Sequence, residues 1–229
     1  MQIDFARTGL EFLSDSDLKY LIDNFPKPGR SYEEISSAIQ NFPEILESVL
    51  HSEELFLKIR DQKKLLLDIS PFLLFSVLVR RSLVDNRIIG DKKVVNYIAN
   101  LLSLFVSKDR AYRVARGDQY THSYITDMIQ EAQSADSQRQ FLIYSHIGNY
   151  SLFLTGMFPQ YIEYRHKYRR RPVNIQFYID FAKTYYELAS EHALAREYNL
   201  GEVFLRLSMM FEVYKDALNY LSKEYLGFS

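Results

Sequence analysis

Apolar residues recur every three or four positions along most of the chain. The clearest stripe, in 200–225, contains Leu200, Val203, Phe204, Leu207, Met210, Phe211, Tyr214, Leu218, Leu221 and Tyr225. A second stripe lies in 174–196. This spacing places the apolar side chains on one face of an α-helix. Only three residues separate the two stripes, so we predict a long antiparallel C-terminal helix pair with Asn199 as a cap.

Polar residues at helix-start positions mark three further helices. Ser70 precedes a proline, Asp91 follows a glycine, and Asp136 precedes an apolar stretch. Side chains of this kind accept hydrogen bonds from the first free backbone N–H groups of a helix. We therefore predict helices from residue 71 to about 89, from residue 92, and over 137–157. Shorter helices are expected over 14–24 and 31–40, and after Pro43 and Ser52.

The remaining pattern favours an all-helical protein. No run of alternating polarity predicts a useful strand, and Gly and Pro together number 14 of 229 residues, which is few for a turn-rich β fold. We predict an all-α fold of about ten helices in an irregular multi-helical bundle, with helix above about 60% of residues. The least periodic segment, 106–119, is expected to be a surface loop or a short helix.

We expect one all-helical domain over residues 1–229. A weaker subdivision at the aperiodic segment would give an N-terminal part, 1–107, and a Tyr-rich C-terminal part, 108–229. The one cluster of Pro and Gly, in residues 25–29, is predicted to be a linker between two of the short helices.

Composition excludes several kinds of protein. The chain has no Cys, so a disulfide framework, a thiolate metal site and a cysteine nucleophile are all excluded. The formal net charge is −1, which removes a global affinity for nucleic acid but permits local basic patches. No secretory signal is visible, and we expect a cytoplasmic protein.

A stretch of 23 residues, 140–162, carries no formal charge. Its length would suffice for a membrane span, but it contains polar residues on all sides of the predicted helix. We predict a central helix that is buried by its neighbours in a soluble protein, rather than a transmembrane or interfacial helix.

Three residues of this uncharged helix form a candidate ligand-binding site: His146, Asn149 and Tyr150. Buried polar groups need hydrogen-bond partners, and tyrosine hydroxyls are available because 15 of the 18 Tyr lie after residue 110. Two interpretations remain open, a structural hydrogen-bond network and a polar pocket for a small molecule. The opposite face, with Gly148 and Gly156, is small enough for another helix to approach closely.

The strongest local charge is the basic cluster 165–171, which holds five formal positive charges and no acid. Its cations are the candidate anion-binding residues Arg165, Lys167, Arg169, Arg170 and Arg171. Arginine suits phosphate oxygens and tyrosine stacks on bases, so an anionic partner or nucleic acid is one interpretation. The alternatives are a solvated helix end that neighbouring acids neutralise and a contact with a membrane surface.

Arg80 is the remaining candidate ligand-binding residue, because Arg80 and Arg81 interrupt an apolar run. We expect at least one of the two to have a packed stem and a paired head, and an anion site there is the alternative. The pair Glu163 and His166 has a spacing seen in di-iron bundles, but no second such pair exists. No metal site, cofactor or catalytic motif is predicted.

Residues 148–158, Gly-Asn-Tyr-Ser-Leu-Phe-Leu-Thr-Gly-Met-Phe, resemble a segment of an uncharacterised family of bacterial all-helical proteins. In that family a Tyr-rich helix and a long amphipathic helix follow, as Phe177–Asp180 and the stripe from Phe204 to Leu218 do here. The resemblance covers roughly the last 90 residues, and the family usually has Asp at the position of Asn149. It implies a bacterial helical fold with no assigned activity.

From these patterns we infer a non-catalytic interaction or scaffold protein of the bacterial cytoplasm, whose partner is another protein or a second copy of itself. A small-molecule-binding protein or enzyme with a pocket at His146 and Asn149 is the first alternative. Binding of nucleic acid or another anionic partner through 165–171 is the second.

Overall fold

The computed structural model describes residues 6–24, 33–34, 37, 42–61, 69–122, 124–168 and 173–228. Of these residues, 77% are helical and none lies in a strand, which confirms the predicted all-α fold. The described part contains thirteen α-helices, eleven of them with seven or more residues. The predicted linker 25–29 and nearly all of the predicted helix 31–40 lie outside the described residues.

The helices follow one another with short connections. In chain order they are α1 (Asp15–Asn24), α2 (Pro43–Leu50), α3 (Glu53–Asp61), α4 (Pro71–Asp85), α5 (Lys92–Phe105), α6 (Lys108–Tyr112), α7 (Ile125–Ser134), α8 (Ser137–Met157), α9 (Pro159–Tyr168), α10 (Ile175–Glu191), α11 (Ala193–Glu197), α12 (Gly201–Met209) and α13 (Phe211–Tyr220). A π-helical turn, Leu221–Tyr225, follows α13.

The three predicted N-caps are confirmed. The side chains of Ser70, Asp91 and Asp136 each accept a hydrogen bond from the backbone N–H three residues further on, at 3.1, 3.2 and 2.8 Å respectively. Each bond satisfies one of the backbone donors that a helix start leaves without an intrahelical partner. These local interactions explain why the starts of α4, α5 and α8 could be read from the sequence.

The predicted end of α4 near residue 89 is wrong, because the helix ends at Asp85. Arg87 adopts a left-handed conformation, with φ at 58°. Its N–H donates to the carbonyl of Val84 at 2.9 Å, and the N–H of Ile88 donates to the carbonyl of Leu83 at 2.8 Å. This pair of bonds is a Schellman motif, which glycine usually closes. Because this position holds an arginine instead of a glycine, the sequence does not indicate that the helix ends here.

We expect Arg87→Gly to stabilise the protein by about 1 kcal/mol, because a left-handed residue with a Cβ costs roughly 1–2 kcal/mol and glycine escapes most of that cost. Arg87 is exposed, so little packing is lost. The urea midpoint of unfolding measures the change. Asn199→Gly is the matched control, since Asn199 closes a second Schellman motif with φ at 55° but tolerates that conformation. A lower midpoint for Arg87→Gly would contradict the expectation.

The C-terminal helix pair is antiparallel, as predicted. The carbonyl of Ser190, near the end of α10, lies beside Gly201 at the start of α12. Further along, the hydroxyl of Ser208 donates to the carbonyl of Lys183 at 2.8 Å. Asn199 lies in the short connection between the two helices, where the left-handed conformation confirms its predicted role as a cap.

Both long stripes are divided into shorter helices, which their spacing did not show. The first breaks at His192, whose Nδ1 accepts a hydrogen bond from the N–H of Leu194 at 3.2 Å and so starts α11. The second breaks at Met210, with φ at −110° and ψ at 24°.

Leu207 and Phe211 are buried on the two sides of the second break, so that stripe continues across it. At the first break Ala189 is buried but Ala193, one turn further on, is exposed and Ala195 is buried instead, so the period shifts there.

Helix α8 lies at the centre of the bundle, as the uncharged stretch that begins at residue 140 predicted. Fifteen of its 21 residues are buried. Helices α5, α7, α9, α10 and α13 all pack against it. Within the described ranges, no helix is both long enough and apolar enough to cross a membrane.

The buried apolar residues form one cluster that extends from Ala6 to Leu221.

The segment 106–119, which was predicted to be a surface loop or a short helix, contains both. Helix α6 occupies 108–112, and irregular backbone follows to residue 122. The single domain over 1–229 and its weaker subdivision at 107 stay predictions.

Candidate functional site

Asn149, near the middle of α8, joins three helices through its side chain. Its Oδ1 accepts a hydrogen bond from the hydroxyl of Tyr97 on α5 at 3.0 Å and another from the hydroxyl of Tyr186 on α10 at 2.9 Å. Burial raises the pKa of both tyrosines well above the ordinary value, so both hydroxyls keep the proton that they donate. The tyrosine partners expected from the sequence are confirmed for Asn149.

Gly148 lets α10 approach α8 closely enough for this network to form. A Cβ at Gly148 would lie 2.7 Å from two ring carbons of Tyr186, and one at Gly156 would lie 2.8 Å from the Cβ of Leu218 on α13. Real side chains do not approach this closely, so both positions require a glycine or a displaced neighbour. The predicted small face of α8 is therefore the face on which its partner helices pack.

His146 is 4% exposed and lies one turn before Tyr150 on the same helix. Burial, and to a lesser extent the positive charge of Arg110, lower the pKa of His146 to about 3, so the imidazole is neutral at physiological pH. Its ring lies parallel to that of Tyr150, with 6.3 Å between the centroids. The Nε2 of His146 and the hydroxyl of Tyr150 have no hydrogen-bond partner among the described residues.

The space beside His146 is small. A cavity of about 10 Å³ is lined by His146, Asn149, Ser145 and Arg110, together with apolar residues of α5 and α8. A volume near this value holds about one water molecule, whereas sites for small organic ligands measure roughly 300–1,000 Å³. The contacts of these residues match a structural hydrogen-bond network. A ligand pocket at His146 and Asn149 stays a prediction.

Arg80 lies apart from these residues, in a separate buried network on α4. Its side chain is fully buried, and its Nε and Nη2 donate to the two carboxylate oxygens of Glu47 at 2.9 and 2.7 Å. Nη2 also donates to Asn96 Oδ1, and Nη1 donates to the carbonyl of Ser76 at 2.9 Å. An anion could reach Arg80 only by displacing Glu47. Arg80 therefore confirms the expectation that at least one of Arg80 and Arg81 has a packed aliphatic stem and a paired guanidinium group.

The basic cluster is described only in part, because Arg169, Arg170 and Arg171 lie outside the described residues. Arg165 and Lys167 both lie on α9, of whose ten residues only Ile162 is buried. The Arg165 guanidinium lies 5.2 Å from the ring centroid of Tyr161, and Lys167 Nζ lies 5.2 Å from that of Tyr168. Neither cation forms an ion pair with a described carboxylate, although the sequence offered several acids nearby.

Sequence reasoning missed three arginines, Arg110, Arg113 and Arg116, which line an open cleft of about 420 Å³. They recur at every third position through α6 and the following loop. That regular spacing of cations was the available signal. The segment lacks the apolar periodicity that predicts the other helices.

Comparison with known proteins finds no matching family model, no similar curated protein and no similar solved structure.

Proposed function

We propose that this protein is a non-catalytic interaction protein that binds an anionic macromolecule, and that the exposed surface of α9 is its contact surface. This proposal keeps the non-catalytic role of the leading expectation from the sequence, but it takes the partner from the second alternative, an anionic partner bound through 165–171. One observation carries it: α9 exposes three tyrosine rings beside two cations. The exposed fractions of Tyr161, Tyr164 and Tyr168 are 44%, 54% and 64%.

The spacing of these residues makes one continuous surface. Tyr161 and Arg165, and likewise Tyr164 and Tyr168, are four positions apart, which places each pair on adjacent turns of one helix face. The Tyr164 and Tyr168 rings lie 5.1 Å apart between centroids, and Arg165 Nη1 donates to the Tyr161 hydroxyl at 3.2 Å. Large exposed rings beside cations are typical of binding surfaces, whereas a purely solvated helix face is usually polar.

Single-stranded nucleic acid is the anionic partner that this surface fits best. Bases stack on aromatic rings without sequence preference, while cations along the same groove meet the phosphates. The sequence adds three further arginines directly after α9, Arg169, Arg170 and Arg171. An acidic protein would use the charge but would have no need for three exposed rings.

We expect the full-length protein to bind a fluorescein-labelled 20-nucleotide oligouridine, with an affinity that weakens steeply as salt rises. Replacing two cations, in Arg165→Gln/Lys167→Gln, should reduce the slope of log K against log salt by about 1.4, because each phosphate contact on a single strand contributes about 0.7. Tyr164→Ala/Tyr168→Ala should weaken binding by roughly 5- to 150-fold for each stacked base that is lost. Fluorescence anisotropy at two ionic strengths measures both effects.

Matched controls come from elsewhere on the surface. Tyr120→Ala removes a ring that is 78% exposed but far along the chain from α9, and Arg196→Gln removes an exposed arginine. Both should leave binding unchanged. Tighter binding of polyglutamate than of oligouridine would identify an acidic protein as the partner class instead. No binding of either polymer at low salt would contradict the proposal.

A further inference from the structure

His146 lies beneath a covering segment, residues 106–122, which consists of α6 and the irregular backbone that follows it. Two apolar side chains of this segment, Ala111 and Val114, are buried. Val114 and Arg110 line the small cavity beside the imidazole, and the backbone of Ala111 forms a hydrogen bond with the imidazole. The covering segment is therefore one wall of the histidine site.

The other walls of the site are mostly apolar or aromatic. The ring centroids of Phe105 on α5 and Tyr150 on α8 lie 5.7 and 6.3 Å from that of the imidazole. Tyr150 is the titratable group of these walls, and burial raises its pKa far above the ordinary value, so it stays neutral. The described residues that line the cavity include no carboxylate, and its volume of about 10 Å³ holds about one water molecule.

The charged groups that face His146 come from the covering segment. Burial contributes most to lowering the pKa of His146 to about 3, the positive charge of Arg110 adds to this effect, and His122 adds less. The backbone hydrogen bond to Ala111 and the carboxylate of Asp118 act in the opposite direction, and both are outweighed. The closed site therefore disfavours a charged imidazole.

Ion pairs at its C-terminal end hold the covering segment against α7 and α8. Arg139 Nη1 donates to both carboxylate oxygens of Asp118 at 3.0 Å, and His122 Nε2 lies 2.8 Å from Glu131 Oε2. Helix α6 packs mainly on α5, and its five residues are too few for a helix that is stable by itself. A segment of this kind opens at a lower free-energy cost than the bundle as a whole.

We propose that His146 acts as a pH switch: the neutral imidazole keeps the covering segment closed, and protonation of the imidazole opens it. A protonated imidazole has a charge and two N–H donors, and the closed cavity provides neither a carboxylate nor bulk water for them. In the open form the imidazole is solvated and its pKa returns to the ordinary value of about 6.5. Closure is therefore fully favoured above about pH 6.5 and is lost progressively as the pH falls toward 3.

A single cysteine can report this opening, because the chain has none of its own. Val114→Cys places a thiol in the covering segment, where dithiodipyridine reacts with it only when the segment opens. The labelling rate is divided by that of glutathione at the same pH, which removes the pH dependence of the thiol itself. From pH 7.5 to pH 5 we expect this ratio to rise about 30-fold, since a pKa of 6.5 in the open form and about 3 in the closed form favours opening by that factor.

Two further substitutions in the Val114→Cys background identify the titrating group. His146→Gln should abolish the rise, and His146→Phe is a second variant with the same expected result. His122→Gln is the matched control and should retain the rise, because His122 titrates against Glu131 outside the cavity. Far-UV circular dichroism at both pH values checks that each variant is folded.

Val203→Cys, a buried valine of α12, reports unfolding of the bundle and should label far more slowly than Val114→Cys at both pH values. A labelling ratio of Val114→Cys that does not change with pH would overturn the proposal. A rise that persists in folded His146→Gln, or one that disappears in His122→Gln, would overturn it as well. Equal labelling of the two cysteines would show global unfolding in place of a local opening, and it would also contradict the proposal.

Discussion

Arg80→Met should destabilise the protein by about 3–5 kcal/mol, because it leaves the carboxylate of Glu47 buried without its counter-charge. The side chain of Glu47 is only 9% exposed, so little water can replace the two hydrogen bonds that are lost, and the neighbour that remains beside its Oε1 is His51 Nδ1 at 3.3 Å. Asn96 Oδ1 loses a donor as well. Chemical denaturation followed by far-UV circular dichroism measures the free energy of unfolding directly.

Two variants distinguish the buried charge from simple loss of volume. Glu47→Leu/Arg80→Met removes both charges and should recover most of the stability, because an apolar pair of similar size is often as stable as a buried ion pair. Arg81→Met removes the neighbouring arginine, whose partners Glu53 and Asp85 lie near the surface, and should cost below about 1 kcal/mol. If Arg80→Met and Arg81→Met were equally stable, the network around Glu47 would not support α2 and α4.

Asn149→Leu is expected to cost about 2–6 kcal/mol, since it removes the acceptor of two buried tyrosine hydroxyls and each orphaned hydroxyl costs about 1–3 kcal/mol. Leucine has a similar branched shape and a high helix propensity, so neither volume nor helix formation accounts for a loss of that size. The same denaturation experiment measures it.

The matching rescue is Tyr97→Phe/Asn149→Leu/Tyr186→Phe, in which no hydroxyl is left without an acceptor. This triple variant should be clearly more stable than Asn149→Leu alone, because removing both sides of a buried hydrogen bond is nearly neutral. Ser151→Ala is the control on the same helix, since the buried Ser151 hydroxyl has no described partner and its removal should not destabilise the protein. A triple variant less stable than Asn149→Leu would show that the tyrosines matter in another way.

The parts of the fold that could be predicted are those that neighbouring residues in the chain determine. Ser70, Asp91 and Asp136 cap helices through bonds that span three residues, so a short window of sequence contains all the information. Asn199 closes a turn that its own tolerance of positive φ permits. Arg87 closes the same kind of turn against its intrinsic preference, and no local rule indicates such a residue.

The candidate sites were harder to predict because their partners come from distant parts of the chain. The need of Asn149 for tyrosine donors followed from its burial, but the choice of Tyr97 and Tyr186 depends on how α5 and α10 pack. Arg80 was expected to be paired, yet Glu47 is 33 residues away and no local pattern connects them. The arginines that line the cleft, Arg110, Arg113 and Arg116, come together only when the loop after α6 folds back toward α8, where Asp118 meets Arg139.

Because the chain is synthesised from its N-terminus, α8 leaves the ribosome before two of the helices that bury it have been made. The two helices that close over its glycine face, α10 and α13, both follow it in the sequence. The last carbonyls of α8 also depend on later residues, because Asn219 donates to the carbonyls of Thr155 and Gly156, and Ser222 donates to that of Met157. During translation, the end of this largely apolar helix therefore emerges about 65 residues before its final partners exist, an interval in which exposed apolar surface favours aggregation and chaperone capture.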